Sequence, residues 1–298
     1  MRYSFAETLL SIAKKDKHVT LLTGDLGFNL FEPIQAELKD RYINAGVAEH
    51  NMITMAAGMA YAGFQPWVYS IAPFVTIKVL EELRNDICLS NRDVKIVGLG
   101  GGFDYAIAGP THHMLNDVAL MTSLPHMKVF VPGSSQDIAP MVLRMHEGKG
   151  PAYLRLTKAE KLTVSFTNYS ACRKVIGGNK LTVIVLGSIL NRALPAISGF
   201  KRKPDLFLVT EIPFSLPKSL IGSIMRTKKV LVIEEHVDIG GLGHYISSIL
   251  HAKALKINSF DHLFAKGYIS KHNGSRDFYL KENGLDKESI TKTVKSLL

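Results

Sequence analysis

Short β-rich apolar runs alternate with longer helical stretches along most of the chain. In the first half, the apolar runs predict strands at residues 18–22, 41–44, 66–70, 94–98, 129–131 and 152–156. The stretches between them predict helices at residues 3–14, 50–62, 74–87, 116–124 and 136–145. Strands that alternate with helices in this way are typical of a parallel sheet wrapped by helices.

The alternation is interrupted once, near the middle of the chain. Residues 157–180 turn polar and end in the pair Gly177 and Gly178, a composition typical of a loop. After this segment, β-rich runs predict strands at residues 181–186, 206–210, 230–234 and 256–258. A last helix is predicted to begin near Asp286, whose carboxylate can cap a helix N-terminus.

These patterns predict an α/β protein with two consecutive parallel-sheet domains. We expect the first domain at residues 1–158, a linker at residues 159–180, and the second domain at residues 181–298. A chain of 298 residues with 46% hydrophobic content is ample for two cores of ordinary size.

The segment at residues 44–63, NAGVAEHNMITMAAGMAYAG, places one carboxylate, Glu49, where a short strand gives way to a helix. This helix is apolar on nearly every face, which predicts that it is buried. Burial raises the pKa of a carboxyl group, which suits a group that exchanges a proton near neutral pH. An acidic residue at the positive end of a helix is also common without any chemistry, so Glu49 alone leaves both interpretations open.

Three predicted loops leave the carboxyl ends of strands, where open α/β sheets bind ligands. Glu49, Phe74 and the glycine-rich loop at residues 98–113 each follow such a strand end. Phe74 could stack on a heteroaromatic ring or fill a core. The glycine loop lacks the GxGxxG spacing of a dinucleotide site, so a tight loop is the safer interpretation. We expect one site at this sheet edge.

Charge and cysteine content limit the classes of partner. The formal charge of +10 fits an anionic substrate, an acidic partner chain or nucleic acid. The basic clusters at residues 201–203 and 226–229 lack interleaved aromatic residues, so nucleic acid is not expected. Two cysteines, Cys88 and Cys172, cannot form a disulfide framework, and no run approaches the roughly 18 apolar residues of a membrane span. We expect a soluble cytoplasmic protein without a membrane partner.

The segment at residues 44–63 resembles the catalytic-glutamate motif of the transketolase superfamily of thiamine-diphosphate enzymes. The likeness continues through PWVYSIAPF at residues 66–74, RND at 84–86, GPTHH at 109–113, VPG at 131–133 and EEHVDIGGLG at 234–243. It covers essentially the whole chain, but only the latter half of a full transketolase. The resemblance implies a pyrimidine-binding domain followed by a transketolase C-terminal domain, as in the C-terminal section of a split enzyme.

The resemblance also implies how the cofactor is bound. The family's glutamate, here Glu49, hydrogen-bonds a ring nitrogen of the cofactor's aminopyrimidine, and an aromatic residue, here Phe74, stacks on that ring. We expect Tyr69 and Ile71 to line the same pocket. Asp25, in TGDLGFN, resembles an acidic residue near the thiazolium ring, although a turn aspartate is about as plausible.

Substrate-side residues match the family less well than cofactor-side residues. His112, the first histidine of GPTHH, matches a catalytic residue that contacts substrate oxygens. His113 is expected to be structural, and because adjacent residues in an extended segment point to opposite sides, the pair predicts no metal site. Lys158, in LRLTK, stands for a phosphate-binding arginine without its bidentate fork, and Arg155 of the same motif is assigned with it to substrate binding.

Two positions depart from the family pattern. Ala108 replaces an aspartate that contacts a sugar hydroxyl, and Gly100 replaces a phosphate-binding histidine. These departures leave the substrate open.

The chain has Gly24-Asp25-Leu26 in place of the GDG motif that holds the diphosphate and Mg²⁺ through oxygen ligands. We therefore expect an obligate N-terminal transketolase subunit that carries this motif, in a heterotetramer. The small residues Ala56, Ala57 and Gly58 are expected to let another helix approach at an interface.

The expected activity is transfer of a two-carbon ketol unit from a ketose or ketose phosphate to an aldehyde. Three alternatives stay open. The β subunit of a 2-oxo acid dehydrogenase shares the architecture, but typically has a histidine-serine pair where this chain has GPTHH. Deoxyxylulose-phosphate synthase uses the same half-site with an arginine at the position of Lys158. Ala108 and Gly100 also allow a catalytically idle scaffold subunit.

Overall fold

The computed structural model describes residues 1–157, 168–269 and 271–298. Within these residues the strands form two sheets, one of seven strands in the order β10-β5-β6-β4-β3-β1-β2 and one of five strands in the order β12-β11-β8-β9-β7, numbered along the chain. Their bounds are β1 Val19–Thr23, β2 Tyr42–Asn44, β3 Gln65–Ile71, β4 Lys95–Leu99, β5 Lys128–Phe130, β6 Ala152–Leu156, β7 Cys172–Ile176, β8 Thr182–Leu186, β9 Asp205–Val209, β10 Glu211–Ile212, β11 Lys229–Ile233 and β12 Ser259–Leu263.

Parallel pairing dominates both sheets, which confirms the predicted α/β class. Each sheet has one antiparallel edge strand: β10 pairs with β5, and β7 pairs with β9. Strand β3 is buried at all seven positions, because helices cover both faces of its sheet.

The α-helices of the described residues precede, separate and follow these strands. Their bounds are α1 Arg2–Lys15, α2 Glu32–Leu38, α3 Glu49–Tyr61, α4 Leu80–Glu82, α5 Asp117–Thr122, α6 Ile138–Glu147, α7 Leu190–Ile197, α8 Lys218–Thr227, α9 Leu242–Ala252, α10 Arg276–Glu282 and α11 Lys287–Leu297. Asp286 caps α11 as predicted, since its side chain accepts a hydrogen bond from the backbone N–H of Ser289. None of the helices described is long and apolar enough to cross a bilayer.

The continuous helix predicted at residues 74–87 is wrong. The chain instead forms a 3₁₀ turn at Ile77–Val79, the short helix α4, and a π-helical turn at Leu83–Cys88. β-Branched residues crowd the start of this segment and lower its helix propensity. The 3₁₀ turn places Lys78 four positions after Phe74.

The segment predicted as a linker at residues 159–180 contains part of the second sheet. Strand β7 runs antiparallel to β9, with Cys172 opposite Val209. It is an edge strand and only its first residue is buried, so polar side chains are tolerated and the apolar signal is weak. The strand predicted at residues 256–258 lies instead at β12, Ser259–Leu263.

Side chains of β3 alternate between the two faces of the first sheet. Val68 belongs to the apolar cluster that contains Met52 and Ile53 of α3. Tyr69 belongs to the cluster on the other face, with Phe5 of α1. Helix α3 and its Glu49 therefore lie on one face of the sheet, and α1 lies on the other.

Candidate active site

Glu49 is the first residue of α3, at the sheet edge where β2 ends. It is 1% exposed, in accordance with the burial expected from its apolar helix. Its Oε2 atom accepts a hydrogen bond of 2.6 Å from the ammonium of Lys78, which follows β3. Two strand ends thus supply an acid and its partner.

Phe74 and His112 lie next to this ion pair. The ammonium of Lys78 is 5.7 Å from the centre of the Phe74 ring. On the other side, the rings of Phe74 and His112 meet edge to face with centroids 5.5 Å apart. We call these four residues, Glu49, Lys78, Phe74 and His112, the Glu49 cluster. The structure brings together the three residues that the sequence marked, and adds Lys78, for which the sequence offered no motif.

His112 is half-buried and His113 is buried. The Nδ1 atom of His112 lies 2.9 Å from the Thr111 hydroxyl, and its ring is 5.7 Å from that of Tyr105. His113 points the other way, where Nε2–H donates to the Ala106 carbonyl at 2.8 Å and Nδ1 accepts from the Tyr268 hydroxyl at 3.2 Å. Burial lowers the pKa of His113, so its neutral form is favoured. These contacts fit the structural role expected for His113.

The glycine loop is tight because other side chains press against it. A Cβ atom at Gly101 would lie 2.1 Å from Nε of Arg155, and one at Gly102 would lie 2.5 Å from the carboxyl group of Glu235. Gly102 also has a positive φ of 70°. The loop therefore packs against buried charges and is not a phosphate cradle.

The predicted substrate contact of Arg155 is wrong. Arg155 is 3% exposed. Its Nη2 donates to the carbonyl oxygens of Met114 at 3.1 Å and Glu235 at 2.9 Å, and its Nε lies 3.2 Å from the carboxylate of Asp117. Because β6 is an inner strand of the sheet, this side chain is enclosed where the two halves of the chain meet. Arg155 joins them and does not face a substrate.

The predicted pocket role of Tyr69 is also wrong. Its ring is 1% exposed, stacks on Phe5 at 6.0 Å and meets Phe31 edge to face at 4.7 Å. These partners belong to the apolar cluster on the sheet face opposite α3. Ile71 ends β3 and is 9% exposed, so its role as a lining residue stays a prediction.

Asp25 and Lys158 complete the set of expected site residues. Asp25 is exposed after β1 with a positive φ of 57°, and its Oδ1 accepts a hydrogen bond of 3.1 Å from Asn44. This geometry is that of a turn aspartate, and a cofactor role stays a prediction. Lys158 lies outside the described residues.

A cavity of about 450 Å³ opens beside the glycine loop. Its lining comprises Met1, Arg2, Tyr3, Leu99, Gly100, Asp104, Tyr105 and Thr157. Tyr105 also contacts His112, so the cavity adjoins the Glu49 cluster. The exposed cation Arg2 had no motif to mark it, because only folding brings α1 to the end of β4.

Residues 1–161 match the family model of the transketolase pyrimidine-binding domain. The chain belongs to the transketolase family. It is 30% identical over 308 aligned positions to a protein of Methanocaldococcus jannaschii that is named as a transketolase C-terminal section, with 99% of this chain and 95% of the relative covered.

Another relative is one of the subunits of the apulose-4-phosphate transketolase of Phocaeicola vulgatus, 27% identical with coverage of 98% of this chain and 96% of the relative. Among solved structures, one described as a split gene transketolase, inactive beta4 tetramer, superposes with a TM-score of 0.87 at 24% identity over 100% of this chain and 97% of its own. At this identity the likeness shows the fold alone. It supports the two-sheet architecture over the full length.

The Glu49 cluster of this transketolase-family chain suits the pyrimidine half of thiamine diphosphate. It combines a buried carboxylate, which can hold a ring nitrogen, with the half-buried Phe74 ring, which can stack on the heterocycle. Within the described parts of the chain, no group of three His, Cys, Asp or Glu residues is placed to hold a metal ion.

Proposed function

We propose that this chain is the C-terminal subunit of a split, thiamine-diphosphate-dependent transketolase. It would transfer a two-carbon ketol unit from a ketose or ketose phosphate to an aldehyde. The observation that carries the proposal is the buried carboxylate of Glu49 beside Phe74 and His112 at the strand ends of a transketolase-family fold. The two relatives are named as a C-terminal section and as one subunit of a transketolase, which supports a separate chain for the rest of the enzyme.

Three residues of the Glu49 cluster have distinct tasks in this proposal. Bound thiamine diphosphate supplies the carbanion chemistry that breaks and forms the carbon–carbon bonds. Glu49 hydrogen-bonds a nitrogen of the pyrimidine ring and holds that ring at the sheet edge. Phe74 packs on the ring and excludes water. His112 donates hydrogen bonds to substrate oxygens as their charge develops.

Arg2 offers a binding point for the anionic end of a phosphorylated substrate. It lines the cavity next to Tyr105, which contacts His112. Gly100 lines the same cavity and adds no side chain, so the positive charge that binds a phosphate group must come from another lining residue. Lys158 remains a second proposed cation for this position.

The partner would be an N-terminal subunit whose GDG motif holds the diphosphate and Mg²⁺, in a cytoplasmic heterotetramer. The outer face of α3 supports the proposal of a partner, because Tyr61 is 75% exposed there. Val47, just before the helix, supports it as well, because it is 78% exposed. The predicted burial of α3 on every side therefore does not occur within this chain. Ala56 and Ala57 pack into the chain's own core, so only Gly58 of the expected small-residue contact is at the surface.

Reconstitution tests the proposal. Mixing the chain with the product of the neighbouring gene and thiamine diphosphate should give ketol transfer from a ketose phosphate, and Glu49→Gln should lower the rate at least 100-fold, the scale of lost general acid–base catalysis. Glu7→Gln, at an exposed carboxylate, is the control. Full activity of the chain alone would overturn the split arrangement, and a near-normal Glu49→Gln rate would remove Glu49 from the mechanism.

The same mixture tests two of the three alternatives. Decarboxylation of pyruvate without ketol transfer would favour a 2-oxo acid dehydrogenase subunit. Cofactor binding by calorimetry without any turnover would favour an idle scaffold.

A further inference from the structure

Lys78 is the cation in contact with Glu49. It lies in the 3₁₀ turn after Phe74, and its Nζ is 2.6 Å from Oε2 of Glu49. The Lys78 side chain is 42% exposed, whereas that of Glu49 is 2% exposed. The ammonium can therefore keep part of its hydration while it compensates a buried carboxylate, which would otherwise be costly.

The contact occupies only one oxygen of Glu49. Among the described residues, Oε1 accepts no hydrogen bond, and its neighbour on the β1 side is Gly24, where an added Cβ would still lie 3.6 Å away. Lysine is a compact donor and does not chelate both oxygens of a carboxylate as the fork of arginine does. One acceptor of Glu49 is thus held and the other is left for a ligand.

Other charged groups near the cluster have partners of their own. His50, next to Glu49 on α3, has its Nδ1 atom 2.5 Å from the carboxylate of Glu82 on α4. Asp25, in the loop after β1, is bonded to Asn44. Among the described residues, Lys78 is therefore the charged side chain that pairs with Glu49.

We propose that Lys78 is a positioning residue for Glu49. By holding Oε2, it fixes the direction of the carboxylate, so that Oε1 meets the pyrimidine ring without rearrangement. Its contact with the Phe74 ring fixes the ammonium above the second group that binds the heterocycle. This inference rests on the proposed function and adds a residue that the motif of the family did not mark.

The test uses the reconstituted pair with Lys78→Met and Lys78→Arg. Lys78→Met should weaken thiamine-diphosphate binding about tenfold in calorimetry, because Glu49 loses the donor that fixes its carboxylate. Lys78→Arg keeps a donor for Oε2 and should restore most of the affinity. Lys14→Met, at an exposed lysine, is the matched control.

Several outcomes would overturn the inference. Tighter cofactor binding in Lys78→Met would mean that Lys78 competes with the ring, and an unchanged affinity would mean that it has no positioning role. If Lys78→Met does not fold, Lys78→Gln carries the same expectations. An active Glu49→Gln enzyme would instead defeat the proposed function, whereas an inactive one with a normal Lys78→Met defeats only the role of Lys78.

Discussion

The two sides of the candidate site differ in how completely this chain supports them. The loop that carries His112 is backed by the second half of the chain, whereas the helix that carries Glu49 has one face in the core and one face in solvent. In the proposed function, the His112 side is therefore supported within this subunit and the Glu49 side is completed by the partner subunit.

The contacts behind the His112 loop are buried and specific. The backbone N–H of Phe103 donates to Glu235 at 2.8 Å, and the Phe103 ring stacks on Tyr279 with centroids 5.0 Å apart. Arg276 pairs with both Glu235 and Asp104. Burial of Glu235 opposes its ionisation, but the charge of Arg276 outweighs this and lowers the pKa of the carboxyl. The loop therefore has little freedom to move.

Glu235→Gln should have the largest effect, because it removes one of the two carboxylates that compensate Arg276 in a buried setting. Breaking a buried pair of this kind costs about 3–5 kcal/mol of unfolding free energy. Urea unfolding of the isolated chain measures it. A loss of less than about 0.5 kcal/mol is expected for the exposed Glu7→Gln. A loss that small for Glu235→Gln would show that the contacts of Glu235 behind the His112 loop contribute little to stability.

Gly102→Ala compares the two regions directly. At Gly102 the new methyl group meets the Glu235 carboxyl in a left-handed backbone, and the expected loss of stability is about 3 kcal/mol. The same substitution at Gly58, an α3 position with nothing within 4 Å, should stabilise the isolated chain by up to about 1 kcal/mol. Equal effects in thermal or urea unfolding would contradict the difference between loop and helix.

The smallest expected effect concerns pH. Burial lowers the pKa of His113 below its ordinary value of 6.5, so the unfolded chain binds the proton more tightly than the folded chain. Its contribution to stability is therefore complete above that value and is lost as the pH falls below it. Wild-type Tm should drop more between pH 7 and pH 5 than the Tm of His113→Gln.

Tyr268→Phe keeps the histidine and removes its hydrogen bond, at an expected cost of about 1 kcal/mol at pH 7. If Tm falls equally between pH 7 and pH 5 in the wild type and in His113→Gln, His113 is not the group whose protonation lowers the stability.

The sequence predicted correctly those features that a single strand or helix and its direct neighbours determine. The predicted strand at residues 152–156 matches β6, and Asp286 caps α11 as its local pattern indicated. Glu49 could be placed because a strand end and an apolar helix flank it directly.

Prediction failed where contacts with distant parts of the chain determine the surroundings of a side chain. Arg155 lies within a strand, and its partners Asp117 and Glu235 come from other elements, so the motif alone did not show that it is enclosed. Lys78 meets Glu49 across 29 positions of sequence, and no local pattern encodes such a pair. The wrong prediction for Tyr69 was avoidable, because the two-residue period of β3 places its side chain on the sheet face opposite to that of Val68.

Strand β10 bears on which fragment of the chain can exist alone. The match to the pyrimidine-binding family ends at residue 161, yet Glu211 and Ile212 supply the last strand of that domain's sheet, opposite Phe130 and Val129. A protein truncated at 161 would present the backbone of β5 as an open edge, a template for pairing with other copies. Aggregation of the truncated protein, and not independent folding, is the behaviour that this shared strand imposes.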